Sequence, residues 1–421
     1  MKKTKSNIKN HAVYLDQKFW HNFSQNAWEK KPIAYKAVKS DLTEIKETEI
    51  FELVVKYSDI CRKNKTASGF KLFIDGVQTY EEEVLQFLPQ KKDKTFIGYH
   101  KRMNEVFSDY CLVCDELLLV DSAIKSKLTD FTMQLYKSVG FPNRFSEIGL
   151  YLGNYKKTPF GVHVDNCGVF SFPVTGVKKF RLWTNEFVQK HPALNRAFNY
   201  AKYNKFSQTI TIEPGDMSYW PSSAWHIAES TGEFSATWSL GVWVDQKHEQ
   251  SFTNILNELL KTKFLDHGQE TLTRFANFHS ENGEVTELPD AYRKSIKDLQ
   301  SLTEVEIREF FLKNWMMHIS KQGFKNWPVI ELNLNLKSTI KVRHASAPIL
   351  WQQALSDKSK IFLSFAGVLV KTNAKSGLFK LIKKLNDGHS CQVGQFISAS
   401  QKNSDLSVLQ TLAKAGAFAL V

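Results

Sequence analysis

Between Glu147 and Val244 the apolar positions come in short β-branched or aromatic runs: IGLYLG, VFSFPV, KKFRLW, QTITI, MSYW, AWHIAE and FSATWSLGVWV. Turn residues separate them. Many short strands at close spacing predict a sandwich or barrel, and the jelly roll is the version that encloses a small-molecule site. Before this region the spacing predicts a helix carrying Phe19, Phe23 and Ala27 and stopped before Pro32. Helices follow to about residue 65, then a strand over Phe70 to Gly76 and a helix over Ile124 to Ser138, ended by Gly140 and Pro142. Asn185 to Lys205 reads as a helical insertion between strands.

After residue 248 the period changes. Phe252, Ile255, Leu256, Leu259 and Leu260 lie at helical spacing, and Thr303 with Glu306 offers a capping box before Phe310 and Phe311. From about Asn333 the strand-like run Ile361 to Val370 precedes a helix over Gly377 to Leu385, the turn Asn386-Asp387-Gly388 and a last helix over Leu406 to Ala415. That order fits a winged-helix module. The predicted organisation is an α+β chain in three parts: 1–247, 248–332 and 333–421.

A chain of 421 residues exceeds what one compact core usually supports, so more than one domain is expected. The formal net charge of +13 favours an acidic partner: an acidic peptide, nucleic acid, anionic lipid or an anionic small molecule. The basic start MKKTKSNIKN has no apolar stretch after it, and no run of eighteen apolar residues occurs, so a cytoplasmic protein without a membrane anchor is expected. Five cysteines form no closely spaced framework. Cys111 and Cys114 make a lone CxxC without the further ligands a zinc site needs, and disulfides are not expected.

The chemistry concentrates in Gly161-Val162-His163-Val164-Asp165. Read as a strand, its period of two puts imidazole and carboxylate on one face. His226, 61 residues beyond Asp165 in EPGDMSYWPSSAWH, supplies a third ligand after the turn at Glu213 to Asp216 and Pro221 redirect the chain. Either histidine alone reads as a satisfied core residue. Together with the carboxylate they leave coordination positions open, which suits catalysis; a structural zinc site closes its shell with four ligands, often thiolates. Lys178 lies 15 residues after His163, and strand alternation puts it with Phe180 on the face opposite Lys179 and Arg181. An inward ammonium suits the second carboxylate of a dicarboxylate whose other end sits on the metal.

These residues resemble a known family, the bacterial ribosomal-oxygenase branch of the JmjC-type 2-oxoglutarate oxygenases, relatives of an asparaginyl hydroxylase. FWHNFSQNAWEKKPIAYKAV is similar to the family's N-terminal entry, GVHVD and AWH to its iron ligands, and VTGVKKFRLW to its co-substrate strand. The resemblance implies a cupin-type double-stranded β-helix, followed by dimerisation helices and a terminal winged helix. It implies iron(II) on His163, Asp165 and His226, 2-oxoglutarate on Lys178 and dioxygen as oxidant. Asn154, Tyr151 and Ser239 are candidates for the same cavity, and Trp183, Trp220, Trp225 and Trp238 are candidates for its walls or for plain core. The ribosomal branch carries arginine where this chain has Lys178; lysine is the asparaginyl-hydroxylase form.

The implied reaction is hydroxylation of a C–H bond of a protein or peptide side chain, with an acidic substrate suiting the basic chain and a homodimer suiting the helical region. Two alternatives stay open: a small-molecule hydroxylase of a biosynthetic pathway, and a non-catalytic cupin whose winged helix binds nucleic acid. An intact three-ligand site speaks against the second, so nucleic acid is not the expected partner.

Overall fold

The structure, a computed structural model, describes residues 12–115, 121–230, 233–264, 288–325, 332–344, 346–397 and 402–421. The basic start of the chain, and residues 265–287 and 326–331 of the expected helical part, lie outside these. The chain divides into two compact units, one within Met1–Asp245 and Gln322–Pro328, the other within Gln246–Lys321 and Val329–Val421. Among the described residues no helix is long and apolar enough to cross a membrane.

In the first unit, helices α1 (Gln17–Asn26), α2 (Glu47–Asn64) and α3 (Ser122–Val139) accompany eleven strands that build the site. These are β1 (Ile33–Tyr35), β2 (Phe70–Ile74), β3 (Val77–Gln78), β4 (Tyr110–Asp115), β5 (Ser146–Gly153) and β6 (Cys167–Thr175). The others are β7 (Lys178–Trp183), β8 (Gln208–Ile212), β9 (Met217–Trp220), β10 (Trp225–Glu229) and β11 (Ser235–Trp243). Eight form an antiparallel sheet in the order β1-β9-β6-β11-β5-β4-β2-β3, and the remaining three a second sheet, β8-β7-β10. This is a jelly-roll core with helices on one side.

Alternation decides which residues face which side. On β11, Ala236, Trp238, Leu240 and Val242 enter the main core with Leu150 and Leu152 of β5 and Phe170 and Phe172 of β6. The same core takes Trp20 and Phe23 from α1, Ile50 and Val54 from α2 and Leu128 and Leu135 from α3. The intervening residues of these strands, Thr237, Ser239, Gly241 and Trp243 on β11, Glu147, Gly149 and Tyr151 on β5, and Cys167 and Val169 on β6, line a cavity instead. The side chain of Asp16 caps α1 by accepting from Phe19 N at 2.8 Å, and Asp121 does the same for α3 at Ala123 and Ile124.

The second unit begins with α4 (His248–Phe264), α5 (Asp290–Gln300) and α6 (Glu304–Ser320), the last opened by the Thr303–Glu306 capping box. Two three-stranded sheets follow, with β12 (Thr339–Val342), β13 (Leu350–Gln353), β14 (Lys360–Phe365), β15 (Val368–Asn373), β16 (Cys391–Gln392) and β17 (Phe418–Leu420). Their orders are β16-β12-β17 and β13-β14-β15. Helices α7 (Gly377–Asn386) and α8 (Lys402–Lys414) complete it. The apolar run Ile361 to Val370 is two strands, not one. Ala366 and Gly367, both at positive φ, turn the chain back on itself between them.

Candidate active site

Cys111 and Cys114 of β4 are buried and point into different apolar clusters, Cys111 beside Phe73 and Tyr155 and Cys114 in the main core. A spacing of three on a strand separates them, so they cannot share a ligand.

Gly161 to Asp165 is an irregular segment rather than the regular strand its pattern predicts. Only His163 pairs, through an isolated antiparallel bridge to His226 on β10. The two residues exchange backbone bonds, His163 N donating to His226 O at 3.0 Å and His226 N to His163 O at 2.7 Å. Gly161 explains the departure. It sits at φ +67, and a Cβ there would lie 2.6 Å from the Arg196 carbonyl oxygen, so only glycine permits this approach.

The bridge sets the imidazoles side by side, ring centroids 4.4 Å apart. Asp165 Oδ2 lies 3.9 Å from His163 Nε2 and 3.5 Å from His226 Nε2. Each Nδ1 faces a backbone carbonyl, Gly161 O at 2.9 Å and Ala224 O at 3.1 Å. With Nδ1–H donating there, both Nε2 lone pairs are left toward Asp165, the tautomer a metal ligand needs. The three ligand atoms lie within 4.8 Å of one another and could hold a metal ion. Burial lowers His226 to about 4, His163 adding to the effect and Asp165 opposing it, so the ring is neutral near pH 7.

Glu29, from the WEKKP stretch, fastens the turn that presents His226. Its carboxylate accepts from the Tyr219 hydroxyl at 2.9 Å, from Ser222 N at 3.2 Å and from the Ser222 hydroxyl. Ala224 N closes the turn onto Pro221 O at 3.0 Å, and the Ala224 carbonyl orients the imidazole.

The cavity beside the triad measures about 320 Å³. Lys178, the first residue of β7, lines it with Phe180, whereas Lys179 and Arg181 turn away to pair with Glu229 at 2.9 and 2.8 Å. Lys178 is 2% exposed. Its ammonium donates to the Tyr155 hydroxyl and lies 4.1 Å from that ring's centroid, and it has no carboxylate partner among the described residues. Burial lowers it to about 8. A second group lining the cavity lacks a hydrogen-bond partner: the Thr237 hydroxyl, on β11 of the other sheet and 1% exposed. The β11–β6 ladder slips between Ala236 and Thr237, where Thr237 faces Pro173, a residue with no N–H to give. A buried cation without an anion and a buried hydroxyl without an acceptor in one cavity fit a carboxylate.

Tyr151 and Ser239 line this cavity. Ser239 shares its hydroxyl with Ser171 at 3.2 Å. Asn154 does not line it. Its carboxamide accepts from Tyr110 N at 3.0 Å and donates to Ser108 O at 2.9 Å, holding β4 to the chain that leaves β5. Tyr155, in phase with Gly149 and Tyr151, is the inward side chain beyond the end of β5, and Asn154, out of phase with them, turns away. Of the four tryptophans considered, only Trp220 lines the cavity. Trp238 belongs to the main core and Trp183 and Trp225 to a cluster with Val162 and Ile227; Trp243 is the second cavity indole.

Residues 128–250 match the family model described as JmjC domain. No curated protein matches the chain. Among solved structures, it resembles Escherichia coli YcfD: the X-ray structure at 16% identity over 96% of this chain and 98% of that one, with TM-score 0.53. The structure of YcfD, a ribosomal oxygenase, with cobalt and 2-oxoglutarate gives 15% identity, 95% and 98% coverage and TM-score 0.51. The cobalt and succinic acid complex gives 15%, 95%, 98% and 0.52. At this identity the likeness is one of fold.

Proposed function

We propose, with residues 128–250 forming a JmjC domain, that the protein is an iron(II)- and 2-oxoglutarate-dependent dioxygenase. It hydroxylates a C–H bond of a protein or peptide side chain and releases succinate and CO2. The observation that carries this reading is Lys178, a buried ammonium without an anion, in the same cavity as His163, Asp165 and His226. Similar structures hold cobalt with 2-oxoglutarate or succinic acid, which agrees with it.

His163, Asp165 and His226 would hold the metal. When bound, iron(II) supplies the redox chemistry that couples dioxygen and 2-oxoglutarate to C–H oxidation. Lys178 and the Thr237 hydroxyl would hold the far carboxylate of the co-substrate, with Tyr155 fixing the ammonium and Tyr151 and Ser239 beside it. Phe160, Phe180 and Trp220 exclude water, which matters because a stray proton or solvent molecule wastes an oxidising equivalent. Asp115, Glu147, Cys167 and Trp243 stand at one end of their strands and form the side of the cavity from which a substrate side chain enters.

A protein substrate is favoured over a small molecule because the similar structures are of a ribosomal oxygenase and the likeness covers both units of this chain. The order β12 to β17 with α7 and α8 is read as a winged-helix module, and α4 to α6 as the element of a homodimer. The test is succinate release from 2-oxoglutarate with iron(II) in air, followed by mass spectrometry of lysate proteins for a gain of one oxygen. Turnover lost in His163→Ala and an added oxygen on a protein side chain support the reading; turnover indifferent to His163→Ala overturns it.

A further inference from the structure

The charge of this chain is not spread along it. Residues 333–421 carry twelve lysines and arginines against three aspartates and no glutamate, so most of the net +13 resides in the last 89 residues. Two of those aspartates are already used. Asp405 is 5% exposed and bonded to Thr372 and the Leu378 backbone, and Asp357 closes its own turn onto Ser359 N and Oγ at 2.9 and 2.7 Å. Asp387, just past α7, is the exposed acid that remains.

Helix α7 sorts its residues sharply. Capped by Ser376, it buries Leu378, Phe379, Leu381, Ile382 and Leu385 and exposes Lys380, Lys383 and Lys384. Spacings of three and four put these cations on one face, where they repel one another. None is in an ion pair among the described residues. Beside them Trp351 of β13 is 46% exposed. Its ring meets Phe379 edge-on at 5.1 Å, and the Lys383 ammonium lies 5.3 Å from its centroid. The other exposed large apolar side chains described in this segment are Leu420 and Val421, at the chain end.

One flat indole among aligned cations does not make the apolar ridge that seats in a lipid surface, and an acidic peptide has no use for a π face. Phosphates spaced along a strand with unstacked bases use both. We propose that this face binds a single-stranded nucleic acid, with Lys380, Lys383 and Lys384 on phosphates and the Trp351 indole under a base. The site is independent of the oxygenase reading and brings back a partner that the three-ligand metal site alone speaks against.

The test uses the full chain. Fluorescein-labelled 12-nucleotide oligouridylate and oligothymidylate, a 12-base-pair duplex, and phosphatidylcholine vesicles with 30% phosphatidylserine are titrated across a salt series. Single strands bind; whether the ribo or deoxy strand is tighter names the source. Joint Lys380→Gln, Lys383→Gln and Lys384→Gln lowers the log–log salt slope by about 2, from about 0.7 per phosphate contact. Trp351→Leu weakens binding about tenfold or more with the slope unchanged. The two variants act through different forces, so loss of fold in one, read by melting temperature, leaves the other to decide. No single-strand binding at low salt, duplex bound as tightly as single strand, binding unchanged in both variants, or capture by vesicles instead overturns the proposal.

Discussion

The two faces of β11 are made by alternate residues of one strand, yet they differ in kind. Trp238 and Leu240 face a core in which side chains meet apolar partners; Thr237 and Ser239 face a cavity with Lys178 and Tyr155. The first face packs apolar side chains against one another. The second holds a hydroxyl and an ammonium whose best partners the chain does not provide. Polar groups left this way cost stability, and such a cost on one face of an otherwise well-packed sheet marks a place prepared for a ligand.

Substitutions on the two faces should therefore separate function from folding. The largest effect is expected from His163→Ala, which reduces succinate formation to background while the melting curve of the metal-free protein moves little. Leu240→Ala on the core face should destabilise by about 2–5 kcal/mol through lost burial and a cavity, measured by urea unfolding, with the 2-oxoglutarate requirement unchanged in the folded fraction.

Lys178→Met should raise the half-saturating 2-oxoglutarate concentration about a hundredfold, from losing a buried charge-assisted contact of roughly 3 kcal/mol. It should also stabilise the ligand-free protein near pH 7 by an energy on the order of 3 kcal/mol, because folding depresses the Lys178 pKa from 10.5 to about 8. The sign in pH follows from the same shift. Between about 8 and 10.5 the unfolded chain holds a proton the folded one has released, so wild-type stability rises with pH across that window, and in Lys178→Met this rise is absent. A smaller split is expected from Thr237→Val: 2-oxoglutarate binding weakened about fivefold, or about 1 kcal/mol, with the free protein slightly more stable.

Much of this contrast is legible in the sequence, because a period of two assigns faces without coordinates. It separates Lys178 and Phe180 from Lys179 and Arg181, which the structure turns toward Glu229. It fails where the backbone leaves regular geometry. GVHVD reads as a strand, but Gly161 at positive φ makes it a bridge and a turn. Around β5 the period holds: Tyr155 is in phase with Tyr151 and lines the cavity, whereas Asn154, a candidate for it, is out of phase and turns away. Thr237 is aimed by a ladder slip opposite Pro173, and Glu29 reaches the turn before His226 from far off in sequence. The period of two puts Thr237 on the face of Ser239, but the ladder slip and the reach of Glu29 leave no periodic trace. The total charge says less than its distribution: averaged over 421 residues it suggests an acidic partner, and most of the excess lies in residues 333–421, none of which lines the cavity.

The most direct measurement is 2-oxoglutarate affinity as a function of pH, by titration calorimetry with cobalt(II) in place of iron to prevent turnover. With Lys178 as the partner of the far carboxylate, affinity holds from pH 6.5 to about 8. It then falls about tenfold per pH unit as the free ammonium is lost, with one proton taken up on binding. In Lys178→Met the profile is flat through 8 and uniformly weak. Wild-type affinity that is unchanged between pH 8 and 9.5, or that Lys178→Met leaves intact, would contradict the assignment of this cavity to 2-oxoglutarate.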